Sequence, residues 1–99
     1  MVLEVGGLYV GSYRLRASGG RHYIHLPAKL VSRFANRKVN VMVQVDARGC
    51  PDVHGVRAVF PAMLVRTGDT FRLNVPSRFT KLALRVQECK GEIDVWISP

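Results

Sequence analysis

Leu15-Arg-Ala-Ser-Gly-Gly-Arg-His-Tyr-Ile-His-Leu-Pro27 and Leu64-Val-Arg-Thr-Gly-Asp-Thr-Phe-Arg-Leu-Asn-Val-Pro76 are one pattern written twice, 49 residues apart. Leu15, Gly19 and Pro27 meet Leu64, Gly68 and Pro76 as identities, while Ile24 and Leu26 meet Leu73 and Val75. Past the prolines, Ala28-Lys29-Leu30 meets Ser77-Arg78-Phe79. Five extra residues in the second copy then move the offset to 54, where Val39-Asn-Val-Met-Val43 meets Ile93-Asp-Val-Trp-Ile97. Four pieces in the same order point to an internal duplication. Asp46-Ala-Arg-Gly-Cys-Pro-Asp52 lies between the copies and is rich in turn residues, so it reads as the connection. The 99 residues form one domain, 1–99, with repeat one at about 8–46, a linker at 47–55 and repeat two at about 56–98.

Each repeat reads as strand, tight loop, strand, short helix, strand. Val39, Val41, Val43 and Val45 alternate with Asn40, Met42 and Gln44, the period-2 signature of a half-buried strand. Ile93, Val95 and Ile97 repeat it with Asp94 and Trp96 on the other face, and Phe71, Leu73 and Val75 alternate with Arg72 and Asn74. Tyr13, Leu15 and Ala17 alternate with Arg14 and Arg16, which predicts one continuous strand. Gly19-Gly20 and Gly68 supply the positive φ that tight hairpins need. Pro27 and Pro76 suit the first turn of a helix, where a missing N–H costs nothing. Leu30, Val31 and Phe34 then share one helical face; Phe79, Leu82 and Ala83 do so in the second repeat.

Gly19-Gly-Arg-His-Tyr-Ile-His-Leu-Pro27 followed by Ala28-Lys29-Leu30 resembles the AbrB-type (SpoVT-AbrB) swapped-hairpin domain, whose archaeal members carry a GGS-x-Y-V-T-I-P-K-type stretch. The resemblance covers residues 13–45 and, more loosely, 62–98. Single-copy members of that family dimerise by interleaving their hairpins, and many bind DNA as transcription regulators. A tandem copy resembles the related cradle-loop barrels of RIFT or double-psi type. The resemblance therefore implies a mainly β protein with two short helices, a six-to-seven-stranded pseudo-two-fold cradle-loop β-barrel built from two ββαβ repeats. A plain sandwich of the same strands is the alternative. Either arrangement removes the exposed edge and half-core of a lone three-strand unit.

Charge suggests the partner. Lys and Arg total 15 against 7 acids, a net charge of +8 and a pI near 10.4, which points to a polyanion. Arg dominates, and its planar donor fork suits phosphates and base edges. Residues 1–50 hold eight basic residues against two acids, and residues 51–99 hold seven against five. Repeat one is therefore expected to carry the basic face. Arg14 and Arg16 are expected to point the same way on one strand, with Arg21 beside them across the hairpin; Lys29, Arg33, Arg37 and Lys38 follow from the helix and its exit. The AbrB-like resemblance puts DNA contacts on Arg14, Arg16 and Arg21, then on Lys29 and Arg33. Met63, Val65 and Thr70 stand at the counterparts of the three hairpin arginines, so Arg72 and Arg78 are expected to matter less. Tyr23 and His25 share the face of Arg21; Tyr23 reads as a packing residue, with stacking on an unpaired base the alternative. Met63, Val65 and Trp96 suggest an apolar outer surface that could pair two chains, so a monomer or a homodimer is open.

Other chemistries find little support. There is no Walker or Rossmann glycine loop, no obvious carboxylate pair, no CxxC and no HExxH. The expectation is no enzyme, no catalytic residue, no metal and no cofactor. No apolar run of spanning length occurs and the start lacks a signal-peptide pattern, so a cytoplasmic protein without a membrane partner is expected. In that compartment Cys50 and Cys89 are expected to be free thiols, with a bridge between them left open. The functional reading is a DNA-binding, regulator-like barrel. An RNA-binding or ribonucleoprotein component and a small-molecule or nucleotide-binding barrel are the alternatives.

Overall fold

The computed structural model describes residues 7–99. The strands are β1 (Leu8–Tyr13), β2 (Arg16–Ser18), β3 (Arg21–Pro27), β4 (Lys38–Asp46), β5 (Arg57–Met63), β6 (Val65–Thr67), β7 (Thr70–Asn74) and β8 (Glu92–Ser98). Helix α1 (Ala28–Val31) runs into a 3₁₀ turn at Ser32–Phe34; a 3₁₀ turn at Ser77–Phe79 leads into α2 (Thr80–Glu88). Each half thus runs through three strands, a helical segment and a fourth strand. The five extra residues of the second copy lengthen its helix, since α2 has nine residues where α1 has four.

The strands form two four-stranded antiparallel sheets, A in the order β1-β8-β4-β5 and B in the order β2-β3-β7-β6. Exchanging β1–β4 with β5–β8 leaves both orders unchanged, so the repeat in the chain is a pseudo-two-fold in the fold. The copies are interleaved: β1 pairs with β8, β4 with β5 and β8, and β3 with β7, all across the repeat boundary.

Eight strands replace the expected six or seven, and among the described residues no ladder closes the two sheets into a barrel. The difference arises at two breaks. β1 stops at Tyr13 and β2 starts at Arg16, while β5 and β6 are separated by Leu64. At each break the chain leaves sheet A for sheet B. Leu64 is buried and its repeat partner Leu15 half-buried, each pinning a crossing to the core. The continuous strand expected from Tyr13 to Ala17 is therefore two strands in different sheets. Edge strands β2 and β6 have three residues each, too short to template pairing with another chain.

The inner faces meet in one core. β4 contributes Val39, Val41, Val43 and Val45, and β8 contributes Ile93, Val95 and Ile97; sheet B adds Ile24, Leu26, Phe71 and Leu73. Helix α2 buries Ala83 and Val86. In the first repeat Val31 and Phe34 point inward, but Leu30 is 46% exposed, because a single turn cannot carry a full apolar face. Gly11 sits at a bulge in the β1–β8 ladder with φ +118°, a conformation side chains rarely adopt. Beside it, the Tyr13 hydroxyl donates to the Val10 carbonyl; burial, and then Tyr9, push its pKa up.

The linker is tied down. Val53 and Ala47 are buried, and Cys50 forms a disulfide with Cys89 at the C-terminal end of α2, with a Cα–Cα distance of 6.1 Å. The expected free thiols are thus a bridge, since the antiparallel β4–β8 pairing brings the exit of β4 beside the turn that leads from α2 into β8. Nearby, Arg85 donates from Nε to Asp52 Oδ2 at 2.9 Å and from Nη2 to Oδ1 at 3.3 Å. That hydrogen bonding holds the Asp52 carboxyl below the usual aspartate range and raises Arg85.

Candidate nucleic-acid interface

The outward face of sheet B carries polar and planar side chains by strict alternation. Along β3, His22, Ile24 and Leu26 are buried, so Arg21, Tyr23, His25 and Pro27 face out; along β7, Phe71 and Leu73 are buried, so Thr70, Arg72 and Asn74 face out. Register sets the rows. Arg16 lies opposite Tyr23, which lies opposite Asn74; His25 lies opposite Arg72, which lies opposite Val65.

These side chains form a connected cluster. The Arg72 guanidinium carbon sits 3.9 Å from the Tyr23 ring centroid. Arg72 Nε donates to Asn74 Oδ1 at 2.8 Å, which fixes the fork in place. Tyr23 meets the His25 ring edge-on at 5.3 Å, and His25 Nδ1 is 3.1 Å from Thr70 Oγ1. A cation over an aromatic ring is attracted by the ring quadrupole. Tyr23 is therefore neither a core residue nor a bare exposed ring: it is an outward-facing ring covered by Arg72.

Two hollows flank the cluster. One, of about 310 Å³, is lined by Gly20 and Arg21 of the first hairpin and by Asn74, Pro76, Ser77 and Thr80 of the second repeat. The other, of about 470 Å³, is lined by Arg66, Asp69 and Thr70 of the second hairpin and by His25, Pro27 and Lys29 of the first repeat. They are repeat equivalents, each made from the turn of one copy and the helix start of the other. The first contains one cation, Arg21, and the second two, Lys29 and Arg66, but only the second contains an acid, because Asp69 stands where the first copy has Gly20.

Within the strands, charge divides by sheet. The strands of sheet B hold Arg16, Arg21, Arg66 and Arg72 and no acid. The strands of sheet A hold Lys38 and Arg57 against Asp46, Glu92 and Asp94. The outer face of sheet B is not made by repeat one alone, since it takes Arg16 and Arg21 from the first copy and Arg72 from the second. Interleaving brings Arg72 of the second copy onto Tyr23 of the first, which a comparison of the halves could not reveal.

The seven candidate cations separate. Arg16 and Arg21 lie on the outer face of sheet B, and Lys29 lines the second hollow. Arg14 falls in the break between β1 and β2, in a hollow of mixed charge with Asp46, Arg48, Lys90 and Glu92, so it does not share a strand with Arg16. Arg33 stacks on Phe34, 5.1 Å from the ring centroid. Arg37 and Lys38 lead into sheet A, where Lys38 lies opposite Met63. Arg72, expected to matter less, lies on the outer face of sheet B over the Tyr23 ring. Its outward parity was legible beside Phe71 and Leu73, but its partner strand was not.

The outer face of sheet A has a different character. Tyr9, Trp96, Met42 and Val59 lie in one row across all four strands, with Tyr9 and Trp96 rings 5.1 Å apart. The expected trio of Met63, Val65 and Trp96 does not assemble, because Val65 belongs to sheet B.

Among the described residues, no group of three or more His, Cys, Asp or Glu is placed to hold a metal ion, and no helix is long and apolar enough to cross a membrane. No protein-family model, curated protein or solved structure matches the chain.

Proposed function

We propose that the protein binds nucleic acid through the outer face of sheet B. The observation that carries this reading is the segregation of charge: the strands of sheet B hold four arginines and no acid, with Arg16, Arg21 and Arg72 on the outer face and Arg66 opposite buried Phe71, against two cations and three acids in the strands of sheet A. A net charge of +8 supplies a long-range field, and Arg16, Arg21 and Arg72 on the outer face of sheet B aim it at a polyanion. The exchange of strands between the copies supports reading the fold as a fused relative of swapped-hairpin and cradle-loop barrels. The DNA-binding role of AbrB-like domains fits the same assignment.

The test is a titration of labelled nucleic acid across salt concentrations. About four or five phosphate contacts from Arg16, Arg21, Arg66, Arg72 and Lys29 give a log–log slope near −4 on duplex DNA. Replacing Arg16, Arg21 and Arg72 together with Ala is expected to flatten the slope by about two to three. Replacing Lys38 and Arg57 of sheet A is expected to leave it close to wild type. Equal losses from the two sets, or binding without salt dependence, would overturn the assignment.

A further inference from the structure

The middle of the sheet-B face is built from planar groups, with Arg21 beside the hollow at one end and Lys29 and Arg66 beside the hollow at the other. Along β3 the order is Arg21, Tyr23, His25, Pro27, and along β7 it is Asn74, Arg72, Thr70. The first hollow takes Arg21 and Asn74 at one end; the second takes His25, Pro27 and Thr70 at the other, together with Lys29, Arg66 and Asp69, two cations against one acid. The seven residues of β3 span about 20 Å. Single-strand sites on small β domains start at about four nucleotides, which such a length accommodates.

A duplex presents base edges in its grooves and keeps its base faces stacked on one another. A platform of ring and guanidinium planes has nothing to stack with there. Unpaired bases expose both faces and stack on aromatic and arginine planes regardless of sequence. Arg72, held by Asn74 and lying over Tyr23, offers such a plane at the centre of the face, and His25 continues it. We propose that this face binds single-stranded nucleic acid, with unpaired bases stacked on the Tyr23–Arg72–His25 cluster and flanking phosphates held in the two hollows. The inference rests on the nucleic-acid reading of sheet B and sharpens it to unpaired strands.

The experiment measures binding of the whole chain to a short labelled oligothymidylate, the matching oligouridylate and a mixed-sequence duplex, each at two salt concentrations. One or both single strands are expected to bind at least about tenfold tighter than the duplex. Tyr23→Ala is expected to weaken single-strand binding by roughly five- to 150-fold, the range for loss of one stacked base. It removes no charge, so the salt slope stays unchanged. Tyr23→Phe keeps the ring and the affinity. Arg72→Lys keeps the charge but loses the plane, so it weakens single strands and spares the duplex. These two conservative variants read out stacking even where Tyr23→Ala perturbs the fold. Duplex binding as tight as single-strand binding, or equal affinities for wild type and Arg72→Lys on the single strands, would refute stacking while leaving the basic face standing. Salt-independent or absent binding to all three probes would instead remove the nucleic-acid reading itself.

Discussion

Reducing the Cys50–Cys89 bridge, or replacing both cysteines with Ser, removes a crosslink that spans 39 residues of sequence. The closed segment holds β5, β6, β7 and α2, so it constrains most of the second repeat in the unfolded chain. Loop-closure entropy for about 40 residues is roughly 13 cal/mol/K, or about 4 kcal/mol at room temperature. A domain of this size shifts its midpoint by about 4–8 °C per kcal/mol, so the expected fall in Tm is about 15–30 °C. The assay is thermal unfolding followed by circular dichroism, with and without a phosphine reductant, on wild type and on the Cys50→Ser/Cys89→Ser double variant. Wild type should lose stability on reduction, whereas the double variant should start lower and ignore the reductant. Thiol alkylation under native conditions, read by mass, counts the free cysteines independently. Two alkylated thiols in freshly purified, unreduced protein, or melts that coincide with and without reductant, would refute the reasoning.

Three further outcomes are expected. Leu64→Ala empties a site that is 1% exposed at the crossing between the sheets, and should cost about 2–5 kcal/mol in urea unfolding, more than the same change at half-buried Leu15. Asp52 has its folded pKa lowered by Arg85, so its contribution is present above the unfolded value of about 4 and is lost as pH falls through the folded one. The gap in denaturation midpoint between wild type and Asp52→Asn should therefore close as the pH drops below about 4, and a gap that stays constant to pH 2 or so would contradict this. Trp96 lies on the outer face of sheet A, so saturating nucleic acid should leave its emission wavelength unchanged; a marked shift would place the ligand on the wrong sheet.

Much of the local structure can be read directly from residue order. Val39-Asn-Val-Met-Val-Gln-Val45 becomes β4 with each valine buried, because side-chain parity along an extended chain is a local property. The hairpin turns follow equally locally from Gly19, Gly20 and Gly68, which adopt φ of +60°, +79° and +62°. The duplication is visible as a repeated order of types, and it reappears as two sheets with symmetric strand orders. Locality also explains the partial legibility of the basic face, since Arg16, Arg21, Tyr23 and His25 sit on one hairpin with the same parity.

The partners were decided elsewhere. Alternation states which residues face out but not which strand lies alongside, so Arg72 over Tyr23 follows only from β3 pairing with β7 across the repeat boundary. The same non-local pairing joins β1 to β8, a long-range choice made by burial of the shared core. Arg14 shows the limit most plainly. Its parity matches that of Arg16, yet the two occupy different surroundings, because the strand between them must break for the chain to cross from one sheet to the other. Composition and alternation thus determined that the chain would be a basic, duplicated, mainly β protein. Tertiary packing decided that arginines from both copies would meet on one acid-free set of strands, because strand pairing is selected by burying the common apolar interior and not by any local preference of the residues that end up outside it.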